Sequence, residues 1–228
     1  MRLIPLYFGF PARSHRGYLG LSSAYLVVGE RLFLYDTLGF GEREGLLARI
    51  ETLGFSPLDV EVVVLSHLHF DHAANADLFP WAEVWVHEAE LDHAARVRQD
   101  PRADPACLAY LPGVLRRLQP VGEGRVAPGV ALLHLPGHTP GLLGLEVEGL
   151  GVLASDAVKS RYDLEGPPAP PCWNPDLAQE SRQRLLAYPR LFPGHDVSLR
   201  KEGGVFLPEG EGELLLKLGD GREVVLRL

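Results

Sequence analysis

At 228 residues, with 46% hydrophobic and 23% charged residues, the chain is the size of one domain and has enough apolar side chains for a packed core, which excludes a disordered protein. The formal charge of −8 comes without any dense run of Lys or Arg, which argues against nucleic acid or an anionic membrane as a partner. No apolar stretch approaches the ~20 residues that span a bilayer, and the opening MRLIPLYFGF lacks the layout of a signal peptide, so the expected location is the cytoplasm. Only three of the 22 basic residues are Lys (Lys159, Lys201, Lys217) and Pro is plentiful, a bias expected of a thermophile or of a GC-rich genome. The two cysteines, Cys107 and Cys172, leave one disulfide open but make no framework.

The chain opens with strand candidates at 2–8, 23–29 and 31–36, the last two joined by a turn at Gly29-Glu30. A helix is expected over 41–54, with Glu42–Glu44 on its solvated face. A buried strand over 60–66 leads into a short helix after His72. A strand at 83–87 and a helix at 88–99 follow. Segment 100–120, with weak periodicity and several prolines, reads as a loop or short helical cap. Strands are then expected at 130–135, 142–147 and 151–155, with a turn at Glu148-Gly149, and a helix at 175–188. From Gly203 the chain reads as a C-terminal β-hairpin, 203–228, turning at Asp220-Gly221. The whole, 1–228, is expected to form a single α/β (α+β) domain of two sheets face to face with helices outside.

The stretch VVVLSHLHFDHA carries the chemistry. A greasy strand runs out and His67, His69, Asp71 and His72 follow within six positions. In extended backbone, residues i and i+2 point the same way, so His67 and His69 share a side. Asp71 and His72 fall in the first turn of the next helix, where the dipole favours a carboxylate. Imidazole and carboxylate donors suit zinc, and four of them so close can serve two ions. The competing reading is that the histidines cap a strand end and Asp71 caps the helix.

Other places repeat the pattern of an apolar strand ending in a presented polar residue. In LHLPGHTPG, His138 is presented at a Pro-Gly turn, and Thr139 is placed to hydrogen-bond a ligand. His134 lies inside the strand and reads as a packing or surface residue. In VLASDAVKS, Asp156 stands where a carboxylate bridges two metals, or else forms a turn. In LFPGHDVS a second PGH presents His195.

SHLHFDH, PGHTPG, SDA and PGHD, in this order, resemble the metallo-β-lactamase fold superfamily over nearly the whole chain, beginning with Asp36-Thr37 at an early strand end. The resemblance implies a four-layer αββα sandwich with metals in a cleft along one edge of the sheets. It implies that His67, His69 and His138 hold one divalent ion, that Asp71, His72 and His195 hold a second, that Asp156 bridges them, and that Asp36 supports a ligand from behind. The ions expected are two Zn2+, with Fe or Mn as alternatives. True β-lactamases of the class usually have Cys where Asp156 stands, and flavodiiron proteins have Glu where His69 stands. The ribonucleases carry a large inserted domain, and the glutathione-thioester hydrolases a helical C-terminal one. What remains is the compact lactonase or thioesterase-like hydrolase. SHLHFDHA and PGHTPG look like N-acyl-homoserine lactonases, with His-Ala-Ala-Asn at 72–75 in place of their usual His-Ala-Gly-Gly. WNPDLAQESRQRLLA before LFPGHD also resembles a small-domain animal and archaeal branch.

The chemistry this implies is attack by a dinuclear-metal-activated hydroxide on an ester, lactone or thioester carbonyl of a small acyl substrate. Asp71 would orient the hydroxide and Tyr162 would offer a phenol to the oxyanion. Trp173 and Tyr110 are candidates for an apolar acyl pocket or for the core rim. A homodimer is an open assembly. Two rival readings stand: a mononuclear iron persulfide dioxygenase, and a non-catalytic metal-binding protein, against which the open ligand set speaks.

Overall fold

The computed structural model describes residues 1–99, 104, 117–168 and 170–228. Its strands are β1 (Arg2–Tyr7), β2 (Arg13–Ser14), β3 (Gly17–Tyr18), β4 (Ala24–Val28), β5 (Leu32–Tyr35), β6 (Val62–Val64), β7 (Glu83–His87), β8 (Leu118–Val121), β9 (Gly124–Ala127), β10 (Val130–His134), β11 (Leu143–Val147), β12 (Gly151–Ser155), β13 (Arg190–Pro193), β14 (Leu199–Glu202), β15 (Val205–Pro208), β16 (Glu213–Lys217) and β17 (Glu223–Arg227). The helices are α1 (Arg43–Thr52), α2 (Phe70–Ala73), α3 (Glu88–Gln99) and α4 (Pro175–Leu185).

Two sheets form the body, in the orders β1-β4-β5-β6-β7-β8 and β15-β14-β13-β12-β11-β10-β9. The period-2 alternation of strand side chains sorts the apolar residues into layers. In β5, Phe33 and Tyr35 enter the layer between the sheets, with Val62, Val64, Leu132, Leu145 and Leu153. Leu32 and Leu34 point the other way and pack with Leu46 and Ile50 of α1 and Ala94 of α3. On the far side, Leu133 and Val152 pack with Leu185 of α4. The result is the four-layer αββα sandwich. Tyr35 joins its halves, since its buried O–H donates to Leu143 O at 2.7 Å and lies 3.2 Å from Leu153 O, both in the opposite sheet. Burial pushes this phenol well above its ordinary pKa.

Most expected elements appear within one or two residues of their bounds, but the C-terminus differs. The hairpin expected to turn at Asp220-Gly221 is β16–β17, and a second hairpin, β14–β15, precedes it. Gly203 and Gly204 take φ of 58° and 88°, close a tight turn, and let β14 and β15 extend the second sheet. Of the C-terminal strands, β16 and β17 join neither main sheet and form a two-stranded ribbon, as β2 and β3 do near the N-terminus. The expected cap at 100–120 lies outside the described residues except for Asp104 and residues 117–120, and so do Cys107 and Tyr110. Residues 118–121 are not cap but strand β8, parallel to β7. Among the described residues no helix is long and apolar enough to cross a membrane.

Tyr35→Phe removes the hydroxyl that spans the layers and leaves carbonyls of the second sheet without that donor. Unfolding in urea should show a loss of about 1–3 kcal/mol, with metal uptake unchanged.

Candidate metal centre

The polar side chains singled out in the sequence come from loops at the C-terminal ends of β5, β6, β10, β12 and β13, which meet at one edge of the sandwich. After β6 the chain stays extended through His67 and His69, so both imidazoles face one side, their ring centroids 4.5 Å apart. It then turns into α2, which carries Asp71 and His72. His138, Asp156 and His195 arrive from the second sheet. The structure brings all seven together in three overlapping groups, His67/His69/His138, His67/His72/Asp156 and Asp71/His72/His195, with the donor atoms of each group within 4.8 Å of one another.

Each histidine is steered by its other ring nitrogen. His138 Nδ1 donates to Pro171 O and His195 Nδ1 to Leu21 O, both at 2.8 Å. His72 Nδ1 donates to Asp36 Oδ2 at 2.8 Å. Asp36 also accepts from the Ser66 backbone N–H (2.7 Å) and from Ser66 Oγ (2.8 Å). Ser66 Oγ, having given its proton away, accepts from His67 Nδ1 at 2.9 Å. His69 is the reverse case: its Nε2 donates outward to Asp104 Oδ2 at 2.9 Å and its Nδ1 faces the cluster. These outer partners thereby fix which nitrogen of each ring faces inward, and the neutral ring carries its lone pair there.

These inward atoms fit a cation. Among the described residues His67 Nε2, His72 Nε2 and Asp156 Oδ1 are buried without a hydrogen-bond partner, an arrangement that costs free energy unless something else satisfies them. His138 Nε2 lies 3.0 Å from His69 Nδ1, two lone pairs facing each other. Asp156 looks both ways, with Oδ2 3.1 Å from His138 Nε2 and Oδ1 3.3 Å from Nε2 of both His72 and His195. Burial, with the neighbouring imidazoles, holds His67 well below its ordinary pKa. Burial also depresses His138, where it outweighs Asp156. Burial would lower His72 as well, but Asp156, Asp71 and Asp36 together hold it well above. Burial would raise Asp156, but His195, His138 and His72 hold it well below.

A cavity of about 240 Å³ opens over the cluster, floored by His69, Asp71, His138, Asp156 and His195. Phe10, Pro11, Phe70, Pro170 and Pro171 give it an apolar wall, and Arg13, Tyr18 and Lys159 line its rim. Tyr162 does not reach it. In the tight turn Arg161–Leu164 it is Asp163 that points inward, and Tyr162 is 70% exposed. Among the described residues the phenol that lines the cavity is Tyr18, from the β2–β3 hairpin, which has no strong sequence pattern. Thr139 does not hydrogen-bond a metal-ligating side chain as expected: among the described residues its buried hydroxyl has no partner, and its carbonyl accepts from the Gly137 N–H at 2.9 Å. Trp173 is half-exposed and absent from the cavity wall. His134 stays outside the cluster, stacked on His87 with centroids 3.9 Å apart. Glu42 is not on a solvated face: burial, with Asp71 nearby, pushes its carboxyl up to about 7.

Sequence reasoning missed several supports. Glu90 is fully buried and accepts from the Leu68 N–H (3.2 Å) and the Gly141 N–H (2.8 Å), tying the His67–His72 loop to the His138 loop. Asp196 takes the Arg161 backbone N–H and its guanidinium, tying the His195 loop to the segment after Asp156. A Cβ at Gly137 would strike the backbone of Ala178 in α4, so the PGH turn can lie against that helix only with glycine there.

The family model of the metallo-beta-lactamase superfamily matches residues 17–195. An N-acyl homoserine lactonase of Bacillus cereus is 31% identical over 174 residues, 72% of this chain and 67% of the relative. Metallo-beta-lactamase domain-containing protein 1 of Homo sapiens is 30% identical over 212 residues, 89% of this chain and 73% of the relative. The solved structure of an N-acyl homoserine lactone hydrolase, with the product N-hexanoyl-L-homoserine at its catalytic metal centre, superposes with a TM-score of 0.61 at 23% identity, covering 80% of this chain and 85% of that one. The chain belongs to the metallo-β-lactamase superfamily. Within it the protein is an enzyme of the hydrolytic kind, and its His/Asp cluster fits divalent metal.

Glu90→Gln should separate the two loops, because a carboxamide accepts one N–H through its oxygen and sets an NH2 against the other. Competition with a chelator should show metal affinity lowered about 10–100-fold. His134→Ala should leave metal affinity unchanged.

Proposed function

We propose that the protein is a dinuclear-metal hydrolase that opens acyl lactones. The observation that carries this reading is the pair of donor sets sharing Asp156, whose two oxygens face His138 on one side and His72 and His195 on the other. His67, His69 and His138 would hold one ion, Asp71, His72 and His195 the second, and Asp156 would bridge. Nitrogen and oxygen donors of this kind suit Zn2+, and also accept Fe or Mn. When bound, such ions acidify a water and polarise a carbonyl.

The chain's own residues supply the rest. Asp71 lines the cavity floor with Oδ2 3.6 Å from His195 Nε2, where a carboxylate can accept a hydrogen bond from the attacking water and orient it. Phe10, Phe70, Pro170 and Pro171 take the acyl part and exclude bulk water. Tyr18, whose O–H now makes only a 3.4 Å contact with Pro170 O, can turn that proton to a substrate oxygen. Asp36 and Asp104 hold His72 and His69 in register. Lactones are favoured over thioesters and simple esters by the named activity of the Bacillus relative and by the product held in the solved hydrolase. A mononuclear iron oxygenase would have use for one donor set and none for the second, so the hydrolase reading accounts for more of the site.

Metal analysis of protein purified without chelator, followed by a panel of acyl lactones, thioesters and phosphodiesters, tests the reading. About two divalent ions per chain and preferred lactone turnover are expected. About one iron per chain with oxygen uptake would overturn it.

Asp156→Asn keeps shape but removes the charge that offsets two dications. Metal content should fall to about one or fewer, and kcat by about 100-fold or more, whereas His134→Ala should change neither.

Exhaustive chelation should lower the melting temperature and abolish turnover together, since a ligand at a thousandfold excess over Kd adds about 4 kcal/mol to the native state. Turnover that survives chelation would exclude the metal mechanism.

A further inference from the structure

The ribbon β16–β17 pairs with neither main sheet, and three of its apolar side chains remain substantially exposed: Leu215 at 42%, Val224 at 40% and Val225 at 46%. A lone two-stranded ribbon is marginal in water, and each of its edges offers unpaired N–H and C=O groups. The register says which groups these are. Leu218 N–H donates to Arg222 O and Leu228 N–H to Gly212 O, both at 2.9 Å. The strand pairs include Leu214↔Leu226, Leu215↔Val225 and Leu216↔Val224. By antiparallel alternation the even-numbered residues bond inside the ribbon. Glu223, Val225 and Arg227 therefore turn their N–H and C=O groups to the free edge of β17. Along that edge they read acid, apolar, base.

We propose that this edge pairs antiparallel with the same edge of a second copy, across a two-fold axis at Val225. The register is self-complementary. It sets Val225 against the partner's Val225 and Glu223 against the partner's Arg227. Inside each ribbon Lys217 already lies 3.4 Å from Glu223, and Arg227 3.4 Å from Glu213. A row across the four strands then runs Lys217, Glu223, the partner's Arg227, the partner's Glu213, with signs alternating throughout. A slip of one residue turns the bonding groups away from each other, and a slip of two sets Glu223 against the partner's Val225. The local pairing also offsets the repulsion between two copies of a chain whose formal charge is −8. The β16 edge has the same acid–apolar–base order, but β17 is the more exposed strand, so the assignment is to β17. The contact is isologous, as a two-fold dimer requires.

Sedimentation velocity over a concentration series tests this on the full-length chain. A dimer that strengthens with concentration and weakens in high salt is expected. Val225→Lys should give a monomer with unchanged lactone turnover and circular dichroism. Val225→Cys should cross-link to a covalent dimer under oxidation or with a short bismaleimide, and Leu215→Cys should not. A wild type that is monomeric at every concentration, a dimer that persists in Val225→Lys, or cross-linking at Leu215→Cys instead of Val225→Cys would each overturn the proposal. None of these results bears on the metal chemistry.

Discussion

Lone pairs that face one another in a buried cleft are the constraint on which this molecule is built. Three imidazole or carboxylate atoms, His67 Nε2, His72 Nε2 and Asp156 Oδ1, lie buried without a hydrogen-bond partner among the described residues. His69 Nδ1 and His138 Nε2 stand 3.0 Å apart with their protons committed elsewhere. Burying such groups unpaired costs free energy, and a cation between them removes the cost. Everything around the cleft serves to keep these atoms aimed inward in the meantime.

That aim is kept by acceptors that cannot donate. Backbone carbonyls of Pro171 and Leu21 hold His138 and His195, and the Asp36 carboxylate organises Ser66, His67 and His72 in one chain of hydrogen bonds. The backbone is bent to allow it. Asp36, Leu38 and Ser155 take φ of 59°, 62° and 45°, conformations that cost a non-glycine residue and persist only when surroundings enforce them. Asn75 is part of that enforcement, its Nδ2 donating to Thr37 O and Gly39 O at 2.8 Å on either side of Leu38. The Asn that ends His-Ala-Ala-Asn thus has a physical task in shaping the loop before α1.

The sandwich contributes geometry and dryness. Strands from both sheets end at one edge, so donors distant in sequence converge, and Glu90 and Asp196 lash the converging loops together from beneath. The apolar wall over the cluster keeps the dielectric low, which strengthens every charge interaction on the floor. The β16–β17 ribbon stands outside this unit, which leaves its edge open to another chain.

The sequence by itself determined the elements and the donor atoms. Short continuous apolar runs marked β5, β7 and β12, because a strand buried on both faces is apolar throughout. The spacing of His67, His69, Asp71 and His72 marked a metal cluster, because extended backbone places i and i+2 on one side. Only the tertiary structure decided which phenol reaches the cavity. Tyr162 and Tyr18 look alike as residues, but a tight turn sends the first to solvent and a two-residue hairpin brings the second over the site. Glu90 and Asp104 were equally illegible, since a buried carboxylate in a helix and one after it carry no local signal of the loops they grip. The C-terminal strands could be read as strands, but not which would join the sheet, because pairing partners are chosen by packing between distant segments and not by the pattern within one.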